Sequence, residues 1–89
     1  MQADHETIAR LVKTARGQLD GVLRMIEEDR YCMEVSAQLR AAQALLAKAD
    51  REILKAHIAH CVRDAFDSRD EAEIDRKIEE LVQAMEKIG

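Results

Sequence analysis

Proline and tryptophan do not occur in the 89-residue chain, glycine is confined to three positions, and tyrosine and phenylalanine occur once each. Without proline, nothing in the chain removes a backbone donor or clashes with a preceding turn, so no helix has to be interrupted. The residues that dominate instead (Ala, Leu, Glu, Arg and Lys) lose little side-chain freedom in a helix. The composition excludes a sheet fold and predicts an all-α chain. Its length admits one small domain, residues 1–89. Long hydrophobic runs are missing as well, since apolar stretches extend over a few residues and fall far short of the ~18 needed to cross a bilayer. The segment Met1-Gln2-Ala3-Asp4-His5-Glu6 lacks the basic and apolar pattern of a secretory signal. A soluble, cytoplasmic protein without membrane contacts is expected. Cysteine is scarce too, with Cys32 and Cys61 alone. A reducing compartment favours thiol chemistry or metal binding for this pair over a disulfide.

What is there is periodic. Ile8, Leu11, Val12, Ala15, Leu19, Val22, Leu23 and Ile26 recur at three- and four-residue steps, which at ~100° per residue collect on one stripe. A first helix is predicted from about Asp4, a suitable N-cap, to Asp29, with the charged stretch Glu27-Glu28-Asp29-Arg30 marking its break. Val35, Leu39, Ala42, Leu46, Ala49, Ile53 and Ile58 begin a second pattern at once, with no turn signal before Asp67-Ser68-Arg69-Asp70. Ile74, Ile78, Leu81, Val82, Met85 and Ile88 make a third, capped by Ser68 or Asp70, with Gly89 ending the chain.

The length of the second helix has a quaternary consequence. About 33 residues at ~1.5 Å each form a rod near 50 Å, whereas a compact monomer of this size has a radius of gyration of only ~12 Å. Two shorter helices cannot cover such a rod on both sides, so its remaining apolar surface is expected to be buried against other copies of the chain. The alternative is a monomeric bundle in which the helix breaks near Asp50, although no residue there supplies a turn.

His57 and Cys61 are four apart, so their side chains share a helix face at the spacing that lets two donors hold one ion. A buried Cys and a surface His are each common without a metal. Cys32 lies about 25 residues earlier, or ~37 Å along the axis, out of reach of the same ion within one chain. Around the axis, however, the three residues fall within about 40° of one another and border the stripe through Leu39, Leu46 and Ile53. If two copies of this helix pair antiparallel about a two-fold axis near Leu45 and Leu46, each Cys32 lands beside the partner's His57 and Cys61. Two sites result, each with two sulfurs and one imidazole, a soft trigonal set suited to Cu(I). His60, next to Cys61 in the chain and about 60° from His57 around the helix, offers the alternative of a tetrahedral zinc site. Tyr31 adjoins Cys32 as a supporting residue or as simple packing.

A net charge of −4, from 14 Lys and Arg against 18 Asp and Glu, argues against indiscriminate polyanion binding. The charges are nevertheless uneven. Arg10, Lys13 and Arg16 are the only charged residues between Ile8 and Leu19, and they lie off the apolar stripe. Arg40, Lys48, Arg51 and Lys55 fall within roughly 80° of arc opposite the stripe of the second helix. Either cluster reads as a solvated face or, repeated in a symmetric assembly, as a set of phosphate contacts. Gly17 and Gly21 cost about 1 kcal/mol each inside a helix; on the basic side of the first helix they would admit a neighbouring helix or a phosphate backbone. No helix-turn-helix spacing is present.

The runs Arg16-Gly17-Gln18-Leu19-Asp20-Gly21-Val22, Met25-Ile26-Glu27-Glu28-Asp29-Arg30-Tyr31-Cys32 and His57-Ile58-Ala59-His60-Cys61 resemble the CsoR/RcnR family of metal-sensing bacterial repressors over nearly the whole chain. The resemblance implies three helices per chain, an antiparallel four-helix-bundle dimer that assembles into a tetramer, and operator DNA bound through basic surfaces. Cys, His and Cys at Cys32, His57 and Cys61 look like the Cu(I)-sensing branch. The nickel/cobalt branch would be expected to carry His at the place of Cys61, the formaldehyde branch generally lacks that second Cys, and the persulfide branch keeps both thiols but lacks the His. By the same resemblance Tyr31 and Glu80 match residues that couple the ligand His to the fold, and Lys48 and Arg51 match positions implicated in DNA binding. One departure is that Leu11 and Thr14 stand where relatives often carry Arg or Lys, which leaves Arg10, Lys13 and Arg16 to supply the charge.

The expected function is a Cu(I)-responsive repressor that binds operator DNA without metal and is released by copper, derepressing copper-resistance genes. A persulfide- or thiol-sensing repressor of the same fold is the alternative, and a copper-storage or structural helical oligomer that binds no DNA is the rival of another class. An enzyme acting on a small organic substrate is not expected, for want of an obvious cleft, a general acid/base pair or a phosphate loop.

Overall fold

The computed structural model describes residues 1–88, apart from the side chain of Ser68. Three α-helices follow in order: α1 (His5–Glu27), α2 (Cys32–Ser68) and α3 (Glu71–Glu86). They run for 23, 37 and 16 residues, and α2 passes through Asp50 without a break. The alternative of a helix interrupted near Asp50 is thereby set aside.

The helix α1 ends two residues before the expected Asp29, and the reason is local. Asp29 adopts the left-handed conformation at φ 54°. Its N–H donates to the Ile26 carbonyl at 3.1 Å, and the Arg30 N–H donates to the Met25 carbonyl at 3.0 Å. This pair of bonds satisfies the last free carbonyls of the helix in the manner of a Schellman stop, with Asp in the place usually held by Gly. The Tyr31 carbonyl then accepts from the amides of Glu34 and Val35 at 3.0 and 3.2 Å, which starts α2. Arg30 bridges the corner, its guanidinium 3.2 Å from Glu34 and 3.8 Å from Glu28. At the far end of α2, Arg69 takes φ 56°. Asp70 caps α3, with Oδ1 accepting from the amides of Ala72 and Glu73 at 3.1 and 3.4 Å. The cap and chain-end roles of the Ser68 side chain and Gly89 lie outside the described residues.

The chain forms two compact units, residues Glu6–Ala49 and residues Met1–His5 together with Asp50 onward. In the first, the buried residues of α1 are Ile8, Ala15 and Val22 and those of α2 are Ala42 and Ala49. Both sets recur every seven residues, the spacing at which one seam of a helix stays turned to its neighbour. Of the expected apolar pattern on α2, Ala42 and Ala49 are thus the members buried in this unit. Leu39 and Leu46 are 43% and 44% exposed, and Leu23 and Ile26 of α1 are more exposed still. In the second unit Ala3, Cys61, Ala65 and Leu81 are buried. Across the described residues the buried apolar set consists mostly of alanine, which contributes little transfer free energy, while the larger apolar side chains stay at the surface.

Candidate metal centre

His57 and Cys61 lie on the stretch of α2 that belongs to the second unit. One helical turn places the Cys61 Sγ 3.2 Å from the His57 Nε2. Cys61 is 7% exposed and is a free thiol. Either the thiol donates to a bare Nε2 or the ring N–H donates to sulfur, according to the tautomer. A soft sulfur and an imidazole nitrogen are thus pre-positioned on a rigid element, with the thiol screened from bulk water.

His57 also lines a cavity of about 370 Å³ whose walls include Glu80, Leu81, Met1 and Gln2. Glu80 of α3 therefore faces the same space as the imidazole. Approach of the N-terminal residues to His57 leaves no trace in local sequence pattern, because it requires the chain start to fold back on α2. Cys61 itself lines a second cavity, with Asp64, Glu73 and Lys77 on its walls.

Cys32 is the first residue of α2 and is exposed. It lines a shallow cavity with Ile26, Arg30, Val35 and Leu39 in the first unit, and Tyr31 beside it is 66% exposed. No group of three His, Cys, Asp or Glu side chains able to hold a metal occurs among the described residues. One chain thus assembles two of the three expected donors. His60 is drawn elsewhere: its Nε2 lies 3.2 Å from the Asp64 carboxylate on the outer surface of α2. That i,i+4 pairing was legible in the sequence but not singled out there.

Arg10, Lys13 and Arg16 on α1 and Arg40, Lys48, Arg51 and Lys55 on α2 are all exposed. None of the seven is ion-paired among the described residues. A Cβ built on Gly17 would meet nothing within 4 Å, and on Gly21 only the Arg24 guanidinium at 3.8 Å. Packing inside the chain therefore does not account for either glycine.

Residues 4–87 match the model of a family described as metal-sensitive transcriptional repressors. The chain belongs to this family. It is a family of transcriptional repressors and not of enzymes. The copper-sensing transcriptional repressor CsoR of Mycobacterium ulcerans is 46% identical over 69 residues, covering 76% of the chain and 59% of that protein. The chain thus spans about three fifths of the length of the first curated relatives it matches. Among solved structures, the nickel-responsive transcriptional regulator InrS superposes with a TM-score of 0.80 at 27% identity, over 100% of this chain and 97% of that one. The copper-sensing repressor CsoR with Cu(I) from Geobacillus thermodenitrificans superposes with a TM-score of 0.75 at 32% identity, over 92% of this chain and 82% of that one. The three-helix CsoR/InrS-like fold is therefore shared. No helix of the described residues is long and apolar enough to cross a membrane.

Proposed function

We propose that the protein is a Cu(I)-responsive transcriptional repressor that acts in the cytoplasm, binds operator DNA in its metal-free state and leaves it when copper binds. The observation that carries this reading is the 3.2 Å pairing of the His57 imidazole with the buried Cys61 thiol. Two such donors on one chain need a third, and Cys32 of a second copy supplies it when two α2 helices run antiparallel, within a homodimer that pairs into a homotetramer. Two thiolates and one imidazole suit a soft monovalent ion. The names of the copper-sensing relatives support the metal, while the nickel-responsive InrS makes nickel the ion to test beside it.

In this reading Cys32 and Cys61 hold the ion, and His57 both binds and reports. His57 would hold the ion through one ring nitrogen and leave the other for the cavity that Glu80 also lines, with Tyr31 of the second copy as a further supporting residue. Glu80 belongs to α3, so orienting His57 couples the centre to the packing of α3 on α2. The basic sets Arg10, Lys13 and Arg16, and Arg40, Lys48, Arg51 and Lys55, meet DNA phosphates, and their spacing changes with that packing.

The test is fluorescence anisotropy of the reduced protein on DNA from its own promoter region, titrated anaerobically with Cu(I), Ni(II) and inorganic polysulfide in separate runs. Release by about one Cu(I) per protomer, and by neither of the others, is the expected result. Release by polysulfide alone would make Cys32 and Cys61 a persulfide switch. Release by nickel alone would reassign the metal, and no DNA binding in any state would leave a storage or structural oligomer.

A further inference from the structure

Next to the cavity that His57 lines, with Leu54 common to both, the second unit contains an apolar cavity of about 460 Å³ bordered by Arg51, Leu54, Lys55, Ile58, Met85 and Ile88. Its size falls in the lower part of the range of small-molecule sites, which are mostly apolar with a few polar groups that fix orientation. Leu54 and Ile58 stand one turn apart on α2, Met85 comes from the last turn of α3, and Ile88 from the turn that follows it. Arg51 and Lys55 form the adjacent row, also one turn apart, so the cavity has an oily wall and two cations along one edge. Both cations are exposed, and neither is ion-paired among the described residues.

The two halves of this surface call for different chemistries in one ligand. A bare phosphate would satisfy Arg51 and Lys55 but leave Leu54, Ile58 and Met85 in water. A purely apolar helix face from a second copy would cover the wall but strip water from two unpaired cations, which is costly. A single alkyl chain ending in a carboxylate meets both demands. We infer that the cavity bordered by Arg51, Lys55, Leu54, Ile58, Met85 and Ile88 binds a free medium-chain fatty carboxylate, head group on the two cations and chain along the apolar wall. Arg51 can hold the carboxylate bidentately while Lys55 contributes a point charge. Given the function proposed above, a ligand seated on Arg51 and Lys55 also competes with DNA phosphates for the same cations, which would give the repressor a second, metal-independent input.

The four methionines provide the probe. Metal-free protein with ¹³C-methyl methionine, its Met85 resonance assigned by loss in Met85→Leu, is titrated below the micelle concentration with sodium decanoate and, separately, with decyltrimethylammonium. A saturable shift of Met85, with Met25 and Met33 unmoved, is expected for decanoate, and binding more than about tenfold weaker for the cationic amphiphile. Arg51→Gln with Lys55→Gln should weaken decanoate by about tenfold or more. Met85→Glu, at a position 55% exposed and so tolerant of charge, should abolish binding while helix content by circular dichroism is unchanged. No saturable shift, or equal shifts for the two amphiphiles, would overturn the assignment. A Met85 signal that changes with protein concentration and resists decanoate would also overturn it, by placing a second copy in the cavity. Anisotropy on DNA then separates the two readings: decanoate that moves Met85 without lowering DNA binding removes the shared use of Arg51 and Lys55 and leaves the cavity assignment standing.

Discussion

At the scale of single residues, the proposed centre divides its tasks between sulfur and imidazole. Replacing Cys61 with Ala removes the buried donor 3.2 Å from His57 and should lower Cu(I) affinity by more than about 100-fold in competition with a chromogenic chelator, since even supporting residues of metal sites cost about 10- to 100-fold. His57→Ala is expected to behave differently, keeping much of the affinity through the two thiolates while copper no longer releases DNA. Normal copper-driven release by that variant would sink the coupling role. The types and spacing of His57 and Cys61 were legible in the sequence because a helix converts a four-residue step into proximity. Glu80 was not legible that way, since only the packing of α3 brings it to the imidazole's cavity. Resemblance pointed to it; periodicity did not.

At the scale of elements, the ends of the helices rest on short-range chemistry. Asp70, one of the two residues expected as a cap, caps α3 through two amides, so Asp70→Ala should destabilise the protein by about 1 kcal/mol in urea unfolding. A loss below about 0.3 kcal/mol would mean that the first turn frays without consequence. The early end of α1 was harder to foresee, because Asp29 is not the residue type that usually signals a left-handed stop. Gly17 poses the opposite case. Open space surrounds its missing Cβ, so Gly17→Ala should raise stability by roughly 0.5–1 kcal/mol. If a phosphate backbone approaches α1 there, the same variant weakens DNA binding while being more stable. Unchanged DNA affinity with the stability gain would assign the glycine no part in the interface.

At the scale of the whole molecule, the distribution of apolar side chains is the leading fact. The buried set is mostly alanine, while Leu23, Ile26, Leu39, Leu46, Ile78 and Val82 are each more than 40% exposed. Surface of this kind is ordinarily covered by association, and a protein whose folded state is tied to association has a concentration-dependent melting temperature. Tm should therefore rise by several degrees over a 100-fold increase in protein concentration, and Leu46→Gln should lower Tm and abolish that dependence. A Tm independent of concentration, with a monomer mass by sedimentation equilibrium, would contradict the proposed homo-oligomer.

The helical class, the count of three helices, the continuity of α2 and the pairing of His57 with Cys61 all follow from one-dimensional information, because each depends on neighbours within about four residues along the chain. Which stripe of α2 packs inside the chain did not. Leucine and alanine rows run side by side along the same helix, and periodicity cannot say whether α1 will choose the row that buries more surface or the row that lets the axes approach. The fold chose Ala42 and Ala49. The cavity above Leu54 and Ile58 and the approach of Met1, Gln2 and Glu80 to His57 belong to the same category. They arise where segments distant in sequence meet, and the geometry of that meeting is set by close packing of the folded chain.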